Sequence, residues 1–253
     1  MIPSLFLAHG SPMLAIEETE YAAFLGQLGK RYQPKAIVVF TAHWETEPLA
    51  MTYTDDEYET IYDFGGFPDE LYQIKYRAKG SKTIAEKLEA RFQQQGIPVV
   101  RDSSRGLDHG TWTLLHRMYP AADIPLVQLS VNPYRSPEDH YKIGEALHGL
   151  GEEDIMIIGS GVTVHNLRII KWGQKEAEPW AVQFDDWLLA QMADGELDAL
   201  FHYEQHAPHA RMAVPRAEHF VPLYIAMGSG SAKPEVIYRG YDMGTLSYLS
   251  LQF

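Results

Sequence analysis

Three apolar runs in this chain each deliver a histidine at or just beyond their end. Ile2-Pro3-Ser4-Leu5-Phe6-Leu7-Ala8 stops at His9-Gly10-Ser11-Pro12, and Ala36-Ile37-Val38-Val39-Phe40-Thr41-Ala42 runs into His43-Trp44. Ile155-Met156-Ile157-Ile158-Gly159-Ser160-Gly161 leads to His165-Asn166, while His109 and His219 each begin a predicted helix beside small or polar residues. An imidazole at the end of a buried strand sits where open α/β sheets form their pockets, outside the carboxyl ends of the strands. Neutral imidazole is both a metal ligand and a general base near neutral pH. Taken singly, each ring is explained as one capped by backbone carbonyls at a sheet edge. Taken together, imidazoles that converge there are hard to rationalise without a cation, and a shared divalent metal site is the expectation.

The other donors narrow the choice. The chain has no cysteine, so thiolate sites, disulfides and a cysteine nucleophile are excluded. Histidine and carboxylate must hold any ion, which suits Fe(II), Mn(II) or Zn(II). No His-x-x-x-His pair exists, so spacing alone does not separate ligands from acid–base groups. Glu218 beside His219 allows either a carboxylate or an imidazole from that segment, but adjacent helical side chains point about 100° apart and both are not expected at one ion. His116, His140 and His148 fall inside helical patterns and read as packing or surface residues. His202, His206 and His209 lie in a polar stretch that reads as a solvated loop. Ser11 and Ser160 lie near histidines, yet neither stands in Gly-x-Ser-x-Gly. Gly159-Ser160-Gly161 lacks the spacing and the lysine of a phosphate loop.

The elements that must position these residues alternate along the chain. Glu17 to Arg31 puts Tyr21, Phe24, Leu25 and Leu28 on one helical face, and Ser81 reads as the N-cap of a helix carrying Ile84, Leu88 and Phe92. Further helices are expected over Trp112 to Met118, from Pro137 to Gly149, and from Pro179 through Met192. Strands are expected at Leu71 to Tyr76, from Pro98, over Leu126 to Val131, and at Ser247 to Phe253 as an edge strand. Asp63-Phe64-Gly65-Gly66-Phe67-Pro68 reads as a loop, with aromatic residues between Thr54 and Phe67 able to wall a pocket. Alternation of this kind predicts a single α/β domain over 1–253, a mostly parallel or mixed central sheet with helices on both faces. A net charge of −13 over 253 residues argues against nucleic acid or an anionic membrane as partner. Neither a signal peptide nor an apolar run of membrane-spanning length is read, so a cytoplasmic location is the expectation.

Six motifs occur in a fixed order: His9-Gly10-Ser11-Pro12, Ala42-His43-Trp44, Asp63 to Pro68, Asp108-His109-Gly110, Val164-His165-Asn166 and Glu218-His219-Phe220-Val221-Pro222-Leu223. In that order, and with Phe184-Asp185-Asp186-Trp187 and Met243-Gly244-Thr245-Leu246-Ser247, the chain resembles the class III extradiol ring-cleavage dioxygenases, in the branch of DOPA 4,5-dioxygenase. The resemblance implies one mononuclear non-haem ion per chain, Fe(II) as the working metal with zinc also carried by members, and a small catechol and O2 as substrates. Carried over position by position, it implies His9, His43 and His219 as ligands, His165 as a fourth ligand or an acid–base group, and His109 as a second acid–base group. The better-known relatives use two histidines and a glutamate, so a histidine in the third position is a departure. Two other readings remain open at this point: a zinc-dependent hydrolase on the same scaffold, and a non-enzymatic interaction protein with a vestigial metal pocket. The oligomeric state is left open.

Overall fold

The buried runs that end in histidine lie side by side in one sheet. A computed structural model describes all of residues 1–253. Its strands, in chain order, are β1 (Leu5–Ala8), β2 (Ala36–Glu45), β3 (Leu49–Thr52), β4 (Val99–Asp102), β5 (Leu126–Val131), β6 (Ile155–Gly161), β7 (Glu235–Tyr238), β8 (Tyr241–Asp242), β9 (Leu246–Ser247) and β10 (Ser250–Gln252). Eight of them form a sheet in the order β4-β3-β5-β2-β6-β1-β10-β7, while β8 and β9 pair apart. The central β5, β2, β6 and β1 run parallel, whereas β3 pairs β5, and β10 pairs both β1 and β7, in antiparallel fashion. The sheet is therefore mixed around a parallel centre, and β1, β6 and β2 present their carboxyl ends at the same edge.

Alternation along the central strands divides the core. Ile37 and Val39 of β2 and Met156 and Ile158 of β6 pack with one group of apolar side chains, and Val38, Phe40, Ile155 and Ile157 pack with another on the opposite face. The helices are α1 (Glu20–Arg31), α2 (Lys82–Gln94), α3 (His109–Met118), α4 (Pro137–Glu145), α5 (Pro179–Asp194), α6 (Leu197–Phe201), α7 (Tyr203–His206), α8 (Ala210–Ala213) and α9 (Pro222–Ser229). Leu25 and Leu28 of α1 and Trp112 and Leu115 of α3 cover the first face. Leu88 and Phe92 of α2, Ile143 of α4 and Ile225 of α9 cover the second. Local signals place several helix starts: Ser81 caps α2 through Ile84 N at 3.3 Å, and Ser136 caps α4 through Asp139 N at 3.1 Å. No helix is long and apolar enough to cross a membrane.

Three segments differ from the sequence reading. Leu71 to Tyr76 is not a strand; a 3₁₀ turn over Asp69–Gln73 takes its place, with Leu71 N bonded to Pro68 O at 3.1 Å. The alternation there reports which side chains are buried, Leu71 and Tyr76 among them, rather than a ladder. The C-terminal strand is internal rather than at an edge, because β7, which the sequence pattern does not announce, pairs outside it. The polar histidine-rich stretch from 202 to 209 forms α7 and leads into α8 instead of a plain loop.

Candidate metal centre

His9, His43 and His219 bring three Nε2 atoms to one point. The Nε2 atoms of His9 and His43 are 3.0 Å apart, and those of His43 and His219 are 3.3 Å apart. Ligand nitrogens on metal bonds of about 2.1 Å, at the angles of octahedral or tetrahedral geometry, lie about 3.0–3.4 Å from one another. The donor set thus fits a single divalent ion, and one ligand atom from each of the three rings lies within 4.8 Å of the others.

Each ring is placed by a different element. His9 follows β1 through a turn that needs Gly10, where φ is +59° and an added Cβ would fall 2.8 Å from the Tyr248 ring. His43 lies near the end of β2. Gly110 in the first turn of α3 makes room for it, since a Cβ there would lie 2.8 Å from His43 Cδ2. Asp108 at the N-cap of α3 accepts from Thr41 Oγ1 at 2.7 Å and from Arg105 Nη2 at 3.2 Å, and Arg105 also donates to His43 O at 3.2 Å. These bonds fasten α3 to β2. His219 sits in the turn before α9, where its carbonyl accepts from Val162 N at 2.8 Å just past β6. Arg216 in the same turn donates to Glu45 Oε1 at 2.8 Å.

Hydrogen bonds settle which nitrogen is free. Ser160 Oγ lies 2.5 Å from the carbonyl of Gly110, which can only accept, so the single hydroxyl proton points there. Ser160 Oγ, 2.9 Å from His9 Nδ1, must then accept, which puts the His9 proton on Nδ1 and leaves Nε2 with its lone pair. Glu218 Oε1 accepts in the same way from His219 Nδ1 at 3.0 Å, and Asp63 Oδ2 stands 3.3 Å from His43 Nδ1. Backing of this kind on the far nitrogen is what metal-bound histidines usually carry. Ser160 is fully buried, and with its proton on a carbonyl it is no nucleophile.

Burial first, and then the neighbouring imidazoles, push His9 and His219 well below the usual range. The same burial, with His109 close by and Asp63 opposing, takes His43 down to about 3. His165 falls to about 4, again through burial first and then His109. Burial works to raise the Asp63 carboxyl, but hydrogen bonds and charge from His109 outweigh it and hold the group at about 2. Burial raises Glu218, whose Oε2 is buried without a hydrogen-bond partner although Arg216 Nη1 is 3.6 Å away.

The two remaining histidines of the constellation join the cluster differently. His109 opens α3 with its ring centroid 4.0 Å from that of His43, and Asp63 Oδ1 accepts from its Nδ1 at 2.9 Å. The Phe64 ring meets His109 edge-on at 5.7 Å, so the aromatic loop does reach the site. His165 stacks on His219 at 3.7 Å with the planes 13° apart, its backbone N–H donating to Ala213 O at 2.9 Å from the end of α8. His165 groups with Glu218 and His219, and His43 with Asp63 and His109, as further donor sets. Outside the cluster, Nδ1 of His140, His148 and His202 each bonds a backbone carbonyl at 2.9 Å, and His209 Nε2 meets Gln183 Oε1 at 2.9 Å. Asp63 and Asp108 stood in the ordered motifs of the sequence without a role at the site, and Thr41 was read only as part of an apolar run.

Comparison with known proteins bears on the family rather than on individual site residues. The family model described as the catalytic LigB subunit of aromatic ring-opening dioxygenase matches residues 3–253. A 4,5-DOPA dioxygenase extradiol from Beta vulgaris is 40% identical over 257 residues, covering 99% of this chain and 96% of that protein. A protein of the same name from Escherichia coli (strain K12) is 39% identical over 259 residues, covering 99% and 94%. The crystal structure of an uncharacterised protein from Escherichia coli K12 shares the fold with a TM-score of 0.85 and 36% identity, covering 100% of both chains. A match that runs the length of the chain, joined to relatives of this similarity, carries its conclusion: the chain belongs to the LigB family of class III extradiol dioxygenases and is a metal-dependent, ring-opening enzyme that acts on a small aromatic substrate with O2.

Proposed function

We propose that residues 1–253 form one catalytic domain, a mononuclear non-haem Fe(II) dioxygenase that opens the ring of a small, DOPA-like catechol, with His9, His43 and His219 as ligands. The observation that carries this reading is the convergence of three Nε2 atoms whose far nitrogens each face an oxygen. The catechol is supported by the names of the relatives from Beta vulgaris and Escherichia coli, which specify DOPA.

When bound, Fe(II) supplies open positions for both catechol oxygens and for dioxygen, and a path for electrons between them. His109, with Nδ1 held by Asp63 and Nε2 free, takes a proton from a catechol hydroxyl as general base. His165 lies face to face on His219, with centroids 3.7 Å apart and planes 13° apart, so it stands beside a proposed ligand at the edge of the donor cluster. In this reading His165 would serve as the second acid–base group, returning a proton to oxygen as the ring opens. Phe64 shields His109 from water. In the overall reaction the bond between a hydroxylated ring carbon and its unhydroxylated neighbour breaks, and both atoms of O2 remain in the product.

Protein loaded anaerobically with Fe(II) and mixed with L-DOPA, caffeic acid or protocatechuate is expected to consume O2 and form a yellow ring-fission product once air is admitted. Absence of both across a broad catechol panel overturns the reading. The all-imidazole donor set also suits zinc and an activated water. Ester or amide hydrolysis by the zinc-loaded protein without oxygen would assign it to that chemistry instead.

A further inference from the structure

One carboxylate faces both kinds of histidine at this site. Asp63 Oδ1 accepts from the backbone N–H of His109 at 3.0 Å and from its Nδ1 at 2.9 Å, while Oδ2 stands 3.3 Å from Nδ1 of His43. The residue is exposed overall with its side chain 24% exposed, so the oxygens stay partly wetted while they face the two rings. Anchoring the 63–68 loop to α3 needs no more than the backbone bond to His109. The second oxygen, turned to His43, adds nothing to that anchor. Nor does Asp63 read as a ligand of its own ion with His43 and His109: Oδ1 already accepts from two N–H groups, and a second ion on Nδ1 of His43 would require that ring to lose both protons.

We infer that Asp63 is a positioning residue that fixes one tautomer on His43 and His109 together, leaving Nε2 of His43 for the metal and Nε2 of His109 for the substrate proton. The inference rests on the ligand set proposed above. A carboxylate is suited to this because both of its oxygens accept. An amide is not: in Asp63→Asn one arm becomes a donor, and whichever way the amide turns, one of the two Nδ1–H groups meets an N–H. Backing bonds of this type are worth about 10–100-fold in metal affinity.

The test uses the full chain loaded with zinc, which is diamagnetic, so that ring protonation is read by imidazole ¹⁵N NMR and affinity by competition with a chelator. In the unsubstituted protein the expected spectrum shows Nδ1–H on His43 and on His109, with His43 bound through Nε2. Asp63→Asn is expected to lose one of these Nδ1–H signatures and to bind zinc about 10–100-fold more weakly. His109→Ala, which removes only the other partner of Asp63, is expected to hold zinc as the unsubstituted protein does. Wild-type affinity and an unchanged spectrum in Asp63→Asn overturn the inference. So does a wild-type spectrum with His109 protonated on Nε2, a result that stands even if Asp63→Asn fails to fold. Zinc bound without shifts at His9, His43 and His219 would instead overturn the ligand set, so the two failures are told apart.

Discussion

Ser160 has one hydroxyl proton, and its direction decides the state of a ring on another strand. With the proton on Gly110 O, the hydroxyl can only accept from His9, and Nε2 of His9 is left open. His140 shows the opposite use of burial. It lies in α4, fully buried, with Nδ1 bonded to Ser136 O at 2.9 Å and Nε2 without a partner. Burial, only partly offset by the Ser136 carbonyl and Asp139, brings it from the usual 6.5 down to about 4. As pH falls below 6.5 the unfolded chain takes up this proton first, so the stability His140 allows is full above that pH and is lost progressively toward pH 4. His140→Asn keeps a donor for Ser136 and does not titrate. Across that window its unfolding free energy, from denaturant melts, is expected to fall by up to about 3 kcal/mol less than that of the unsubstituted protein. Other buried histidines titrate with the same sign, so the difference between the two proteins is the quantity to read. His9 and His43 were legible in the sequence because each ends an apolar run, and His109 because it opens α3, whereas His219, expected to begin a helix, sits in the turn before α9. The groups that orient them were not. Ser160 faces His9 and Gly110, and Asp63 faces His43 and His109, and no local pattern announces partners so far apart in the chain.

At the scale of elements, the contact between α3 and β2 sets the site. A Cβ on Gly110 would lie 2.8 Å from His43 Cδ2 and 3.0 Å from Thr41 Oγ1, two groups that packing holds in place. Gly110→Ala is expected to push the start of α3 away from β2, costing about 1–3 kcal/mol in denaturant unfolding and weakening metal binding with it. Gly65→Ala, where nothing lies within 4 Å, serves as the control and should change neither. Helices α1 to α5 and the central strands followed from periodicity and caps, because those signals are local, whereas α6, α7 and α8 were not read as helices. Where the sequence misled, tertiary pairing was responsible. β7 carries a short run, Glu235–Tyr238, whose only claim to be a strand is its pairing with β10, and that pairing moves β10 inward from the edge. Leu71 and Tyr76 are buried at intervals that mimic a strand while the backbone makes a 3₁₀ turn.

For the molecule as a whole, the proposed ligands tie β1, β2 and the turn before α9 to one ion, so metal binding acts on global stability. An ion that binds only the folded chain adds about 2.7 kcal/mol when its free concentration is a hundred times its dissociation constant. Treatment with a strong chelator is therefore expected to lower the unfolding midpoint. His219→Ala is expected to start from the lower midpoint and to show no further drop, a comparison that calorimetry makes directly. The order of strands brings these ligands together, since β6 lies between β1 and β2 and its far end holds the His219 turn.

That arrangement also dates an event in the life of the molecule. His9 and His43 are made well before His219, the third proposed donor, and the turn that aims His219 docks on a strand made before it. Until residue 219 has been made, the chain can offer no more than two of the three proposed donors. Acquisition of the ion by all three proposed donors thus waits until the segment carrying His219 has been made and has docked beside β6.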